Sequence, residues 1–288
     1  MFTIANRTMA QAEIIIPKQA SAANEFAAHE LAKYLEAICG AEFNIFRDDY
    51  AFSSSPDRYE ICIGAVNRPE TPSAEGLKND GYILRTVGNR LFILGENDRG
   101  ALYGVYGFLE DVLGCRFFAK GAEKIPNRAV LSFGDLDLTR VSPFEYRETM
   151  WYAVEPADIA YKRGLNGPRH GLDPVRGGGI AYDGFVHTFQ NDYITVEEYF
   201  ETHPEYFSMV DGKRVGGSHQ TQLCLTNPDV LRIVIEKLRK KLVLFGAENI
   251  FHIPERLLQP LPMPGMRPGG RGGRQPRRYA AALCQRLR

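Results

Sequence analysis

The 288 residues contain one tryptophan, six histidines and five cysteines. The cysteines (Cys39, Cys62, Cys115, Cys224 and Cys284) stand singly and are odd in number. That excludes a complete disulfide framework and the paired spacing of a structural zinc site, and leaves buried free thiols. The histidines share no ligand spacing either, so no metal and no other cofactor is expected. No apolar run is long enough to cross a bilayer, and no membrane partner is expected. The opening MFTIANRTMAQAEIII lacks a basic segment followed by an apolar core, the mark of a secretory leader. As it stands the chain reads as cytoplasmic; a preceding segment would make it periplasmic or secreted.

Net charge is absent too, with 35 basic and 35 acidic residues, but the zero conceals an asymmetry. From His252 onward eight arginines face one glutamate and no lysine, so the tail carries +7 and the body −7. With 44% hydrophobic and 24% charged residues the composition is that of a globular chain, long enough for one large domain or two modest ones.

The stretch that organises the chain runs over residues 81–114. Tyr82, Leu84 and Thr86 alternate with Ile83 and Arg85, the period of a strand. Gly88-Asn89 supplies a hairpin turn. Residues 91–94 are apolar throughout and read as a strand buried on both faces. Asp98 is the expected cap of a helix whose Leu102, Val105, Tyr106, Leu109 and Leu113 lie on the sheet, with Gly114 as its left-handed stop. Gly100, Gly104 and Gly107 inside that helix cost about 1 kcal/mol each against alanine. Close helix–strand packing offsets that cost; the spacing fits neither a P-loop nor a dinucleotide fingerprint.

Before it, residues 12–16 form a strand and Ser21 caps a helix bearing Phe26, Leu31, Tyr34, Leu35 and Ile38, ended by Gly40. Short strands follow at 43–46 and 59–63. The order β-α-β-β-β-β-α implies a mixed sheet with both helices on one face, closing near residues 126–138. Residues 1–140 hold their own apolar faces and are expected to fold alone. Ser142-Pro143 reads as a hinge into a second region, 141–250. There, residues 144–149 and 185–189 and Gln222 to Leu225 are candidate strands, and 158–164 a short helix. Residues 166–184 form a long glycine-rich loop. Thr195 and Glu198 make a capping box. Asn227-Pro228 starts a helix with Val230, Leu231, Val234, Leu238 and Leu242 as its stripe. Its basic end, Lys237 to Lys241, reads as solvated.

The residues Tyr82, Leu91-x-Ile93-x-Gly95, Arg99-Gly100-x-x-Tyr103-Gly104-Val105-Tyr106 and Leu109 resemble the N-terminal domain of family 67 α-glucuronidases. Related domains precede the catalytic barrel of β-hexosaminidases. The resemblance implies a noncatalytic domain packed against a (β/α)8 barrel that carries the chemistry. His203-Pro204-Glu205-Tyr206-Phe207, Asp211-Gly212-Lys213-Arg214 and Gln222-Leu223-Cys224-Leu225-Thr226-Asn227-Pro228 resemble domain-of-unknown-function family 4838, a glycoside-hydrolase-like family that follows such N-terminal domains. The implied fold class is α/β, an N-terminal mixed sheet with helices on one face and then a truncated (β/α)8-barrel-like region. The implied partner is carbohydrate, including uronic-acid-containing glycans.

Residues 251–288 break the pattern. Their prolines, glycines and arginines resemble out-of-frame translation of GC-rich DNA. A permitted back-translation of residues 251–267, read one base later, spells SISQNDCYNPCQCPEC, a polar, cysteine-rich segment like the family's. The rival reading is a genuine unstructured basic tail that contacts nucleic acid nonspecifically. A third class, a noncatalytic carbohydrate-binding or scaffold protein, also stays open.

Glycoside hydrolysis needs two carboxyl groups flanking the bond. Glu145 and Glu148 fall on opposite faces of the 144–149 segment and make no convincing pair, so the catalytic residues stay unassigned. The candidate substrate contacts are Arg147, a bidentate clamp for a uronate carboxylate; Trp151, a sugar-stacking platform; Asn166 and His170 in the long loop; and His187. For each, a hydrogen-bonded loop or core role is the competing reading.

Overall fold

The computed structural model describes residues 1–49, 58–180, 189–216 and 222–245. By its contacts the chain divides into two compact units, residues 1–180 and 181–288.

The first unit is built on a six-stranded mixed sheet in the order β11-β6-β7-β5-β3-β4. Its strands are β3 (Ala12–Ile16), β4 (Ile45–Arg47), β5 (Tyr59–Ile63), β6 (Tyr82–Val87), β7 (Arg90–Gly95) and β11 (Asp137–Arg140). The run β4-β3-β5-β7 is parallel, and β6 and β11 join it antiparallel. All of β3 and residues 91–94 of β7 are buried, as apolar strands covered on both faces must be. Ile14, Ile61, Ile63, Leu91 and Ile93 meet helices α1 (Ala22–Cys39) and α2 (Asp98–Gly107), which share one face. Ile15, Cys62, Phe92 and Leu94 turn to the other face, under Val66.

The expected caps hold for α1. Ser21 accepts from the Asn24 amide at 3.2 Å, and Gly40 closes the helix at φ 74°. For α2 the cap is Asn97, not Asp98. Asn97 has the extended backbone that a cap requires and accepts from the Gly100 amide at 2.8 Å, while Asp98 accepts from Asn24 Nδ2. The helix then widens through residues 108–112 and stops at Gly114, φ 83°. The helical glycines are packing sites. A Cβ on Gly104 would stand 2.8 Å from Ile93 Cγ2, and one on Gly100 2.8 Å from the Gly81 carbonyl.

Sequence pattern alone missed a second, three-stranded sheet, β10-β1-β2, made of β1 (Phe2–Asn6), β2 (Met9–Ala10) and β10 (Val130–Phe133). The core also runs past residue 140, since it includes Ile159 and Tyr161.

The second region departs from the expected strands. Residues 144–149 are irregular. The Arg147 backbone bonds to residues 166 and 167 instead of to a neighbouring strand, and its side chain takes the carbonyls of Phe144 and Glu145. Gln222 to Leu225 reduces to one bridge, Leu223 to Phe207. The 185–189 strand lies outside the described residues except Phe189, which begins a wide turn.

In the second unit, Tyr193, Ile194, Tyr206, Phe207, Leu223, Val230 and Ile233 form a small core. Thr195 caps α4 (Val196–Tyr199), but Glu198 pairs with Lys237 at 2.7 Å instead of completing a capping box. Helix α5 (Pro228–Phe245) starts where Asn227-Pro228 places it. Its stripe is rotated: Ile233 is buried, while Leu231 is 60% exposed. The expected solvated lysines are partly engaged, Lys237 with Glu198 and Lys241 with Asp192.

Candidate functional site

Two consecutive residues, Asn79 and Asp80, take left-handed backbone at φ 58°, a conformation Asn and Asp tolerate better than most. This corner, just before β6, drops the Asp80 carboxylate into the first unit. Oδ1 accepts from Arg99 Nη2 at 2.7 Å and Asn97 Nδ2 at 3.0 Å. Oδ2 accepts from Arg147 Nη2 at 2.6 Å and Asn166 Nδ2 at 2.9 Å. Burial opposes the charge, but the hydrogen bond and charge of Arg99, with Asn97 and Asn166, outweigh it and hold the Asp80 carboxyl down at about 2.

Arg147 and Asn166, two of the predicted contacts, thus meet on one buried carboxylate. Arg147 also donates from Nε to Gly164 at 2.6 Å and from Nη1 to Phe144 at 2.8 Å, and lies 5.5 Å over the Tyr103 ring. With its guanidinium engaged in this way, a uronate carboxylate would have to displace Asp80 to reach it. Asn166 is fully buried; its Oδ1 accepts from the Arg147 amide at 2.7 Å.

His170 is buried nearby in the chain. Its Nδ1 lies 2.8 Å from the Glu155 carbonyl, which only accepts, so Nδ1 carries the proton. Nε2 has no hydrogen-bond partner among the described residues, and neither does Glu148 Oε2. Glu148 Oε1 accepts from the Arg169 amide at 3.1 Å. Trp151 is 68% exposed, between Met150 and Tyr152, which are also exposed, and forms an open aromatic platform. His187 lies outside the described residues.

Chemically, Asp80 is an ionised anchor and cannot serve as a general acid near neutral pH. Among the described residues no group of three histidines, cysteines or acids gathers to hold a metal. No helix of the described chain is long and apolar enough to cross a membrane. Sequence reasoning missed Asp80. The available signal was an Asn-Asp-Gly corner followed by the polar run Glu96-Asn97-Asp98-Arg99, which lies beside it once β6 and β7 pair.

A second buried charge also escaped it. Lys162 Nζ reaches Glu123 Oε1 at 2.6 Å and the Tyr34 hydroxyl at 2.7 Å, within 6.0 Å of the rings of Tyr34, Tyr106, Phe117 and Tyr161.

Comparison with known proteins supplies the class. Residues 4–108 match the family model described as glycosyl hydrolase family 67 N-terminus. Residues 117–255 match that of the domain of unknown function DUF4838. The two matches follow in the order the motifs implied.

Alpha-glucuronidase A of Emericella nidulans is 34% identical over 107 residues, 34% of this chain and 12% of that protein. The probable alpha-glucuronidase A of Aspergillus oryzae is 37% identical over 90 residues, 29% of this chain and 10% of that one. The match therefore spans only about an eighth or less of these relatives. Among solved structures, a family GH115 4-O-methyl-alpha-glucuronidase with specificity for decorated arabinogalactans superposes with TM-score 0.46 at 10% identity, over 84% of this chain and 41% of that one. The Flavobacterium johnsoniae chitobiase gives 0.40 at 14% identity, over 85% and 41%.

Proposed function

We propose that this chain is the front part of a glycoside hydrolase-like protein that acts on carbohydrate, with uronic-acid-containing glycans as its substrates. The observation that carries the reading is the family 67 N-terminal match followed directly by the DUF4838 match. In this reading residues 1–140 form the noncatalytic N-terminal module, residues 141–250 begin the hydrolase region, and residues 251–288 are an out-of-frame tail. The chain by itself hydrolyses no glycoside, because an acid and a base must flank the scissile bond. Glu148 is buried and Glu145 exposed, while Asp80 is locked in its ionised state. Trp151 is the sugar platform, with Arg147, Asn166, His170 and His187 as the further contacts of the reading.

The test is turnover over a panel of aryl glycosides, aryl α-glucuronosides first. The chain is compared with a gene whose frame is restored around codons 249–254 and extended downstream. The expected outcome is no turnover by the 288-residue chain and turnover by the restored protein. Robust turnover by the short chain, abolished by Glu148→Gln, would overturn the reading. A second reading, a noncatalytic carbohydrate-binding module, is favoured by the exposed Met150-Trp151-Tyr152 patch. It is distinguished by glycan binding without turnover in both proteins.

A further inference from the structure

Beside α2 the first unit holds an open cleft of about 320 Å³, at the lower end of the size range of small-molecule sites. Its wall is made by a cross-strand pair. Arg140 on β11 stands directly opposite Tyr82 on β6, so the two side chains share one face of the sheet.

Three of the four basic side chains lining the cleft already have strong acidic partners. Arg147 pairs with Asp80 at 2.6 Å, Lys162 with Glu123 at 2.6 Å and Arg163 with Glu110 at 3.0 Å. Arg140 is different. Its one acidic neighbour among the described residues, Asp111, stands 3.7 Å away, beyond hydrogen-bond reach, and its side chain is 53% exposed.

Tyr82 gives the second, independent observation. Its hydroxyl makes no hydrogen bond to a described residue, although tyrosine hydroxyls normally find one when buried. The helix opposite is cut back to admit it: a Cβ on Gly107 would stand 2.1 Å from the Tyr82 hydroxyl oxygen. Burial, first, and the nearby Asp111 carboxylate push this phenol up to about 12, so it remains a donor across the physiological range.

The cleft therefore offers a planar guanidinium with open donors, a phenol hydroxyl beside it, and tyrosine rings (Tyr103, Tyr106 and Tyr161) along its interior. A guanidinium matches a carboxylate in bidentate geometry. The phenol suits a hydroxyl group, and the rings suit the C–H face of a pyranose. We propose that this cleft is a noncatalytic site for a single carboxylated sugar ring, a hexuronate, with Arg140 on the carboxylate and Tyr82 on an adjacent hydroxyl. The site is separate from the Trp151 platform and does not depend on turnover.

The experiment is titration of the full chain with sodium glucuronate and sodium galacturonate, followed by saturation-transfer NMR and calorimetry. Glucose, methyl glucuronate ester and acetate are the control ligands. The proposal expects uronate binding, with the neutral sugar and the ester at least about tenfold weaker, since a charge-assisted hydrogen bond is lost. Arg140→Gln weakens uronate about tenfold or more, and Tyr82→Phe about two- to tenfold. Arg140 is half-exposed on an edge strand, so its variant keeps the fold, checked by an unchanged thermal melt. No uronate binding to the folded chain, equal binding of glucose, or undiminished uronate binding to Arg140→Gln would overturn the assignment. A turnover failure in the proposed function leaves all these readings in place.

Discussion

The two units keep their charges in different places. In residues 1–180 the ion pairs that matter are buried. Asp80 is 3% exposed against Arg99 and Arg147 at 14% and 15%, and Glu60 is 2% exposed against Arg68 at 8%. In the described part of residues 181–288 the pairs lie at the surface: Lys237 and Glu198 are 29% and 53% exposed, Lys241 and Asp192 21% and 34%. Removing one partner of a buried pair strands a charge in low dielectric and costs about 3–5 kcal/mol. An exposed pair contributes about 0.2–1 kcal/mol. The first unit thus uses charge to fix which segments close its core, while the second uses it to decorate a helix.

The largest effect is expected from Arg147→Met. It leaves Asp80 buried with Arg99 as its only cation and should cost about 3–5 kcal/mol in a denaturant titration. A loss below 1 kcal/mol would place Arg147 with the surface pairs. Next comes acid. The folded Asp80 value lies below that of an unfolded aspartate, about 3.9. Its contribution is therefore fully present above pH ~4 and is lost as pH falls toward and through 2, about 2–3 kcal/mol in all. Stability measured from pH 5 to pH 2 should show this slope, and Asp80→Asn should remove that share of it.

Gly104→Leu should cost about 1–3 kcal/mol through overpacking against Ile93 and Tyr82. An unchanged melting temperature would deny that the glycine is a packing site. Smallest of all is Glu198→Gln in the second unit, expected to cost under about 1 kcal/mol and to fade in 1 M salt.

Much of the first unit was legible because its signals are local. Ser21 and Gly40 bracket α1 with chemistry confined to a few residues, and the apolar run at 91–94 admits only a strand covered on both faces. What was missed depends on distance or on fine backbone choice. The β1 strand pairs with residues 130–133, a partner no local pattern names. Asn97 and Asp98 are both good caps, and only the backbone turn decides between them. Arg147 read as an open sugar clamp because its counterion lies 67 residues earlier, at Asp80. The strand expected at 144–149 rested on alternation alone, which cannot register that Arg147 takes up the carbonyls around it. Trp151 lies, as a stacking platform must, on the surface.

The first unit's dependence on residues 141–180 is the claim on which the rest stands. Those residues bring Arg147 and Asn166 to Asp80, Lys162 to Glu123, and Ile159 and Tyr161 to the core. Thermal and urea unfolding of the fragments 1–140 and 1–180, side by side, test it directly. The account predicts a cooperative transition for 1–180 and, for 1–140, a loss of at least about 3–5 kcal/mol or failure to fold. Equal stability of the two fragments would contradict it and return the boundary to the Ser142-Pro143 hinge.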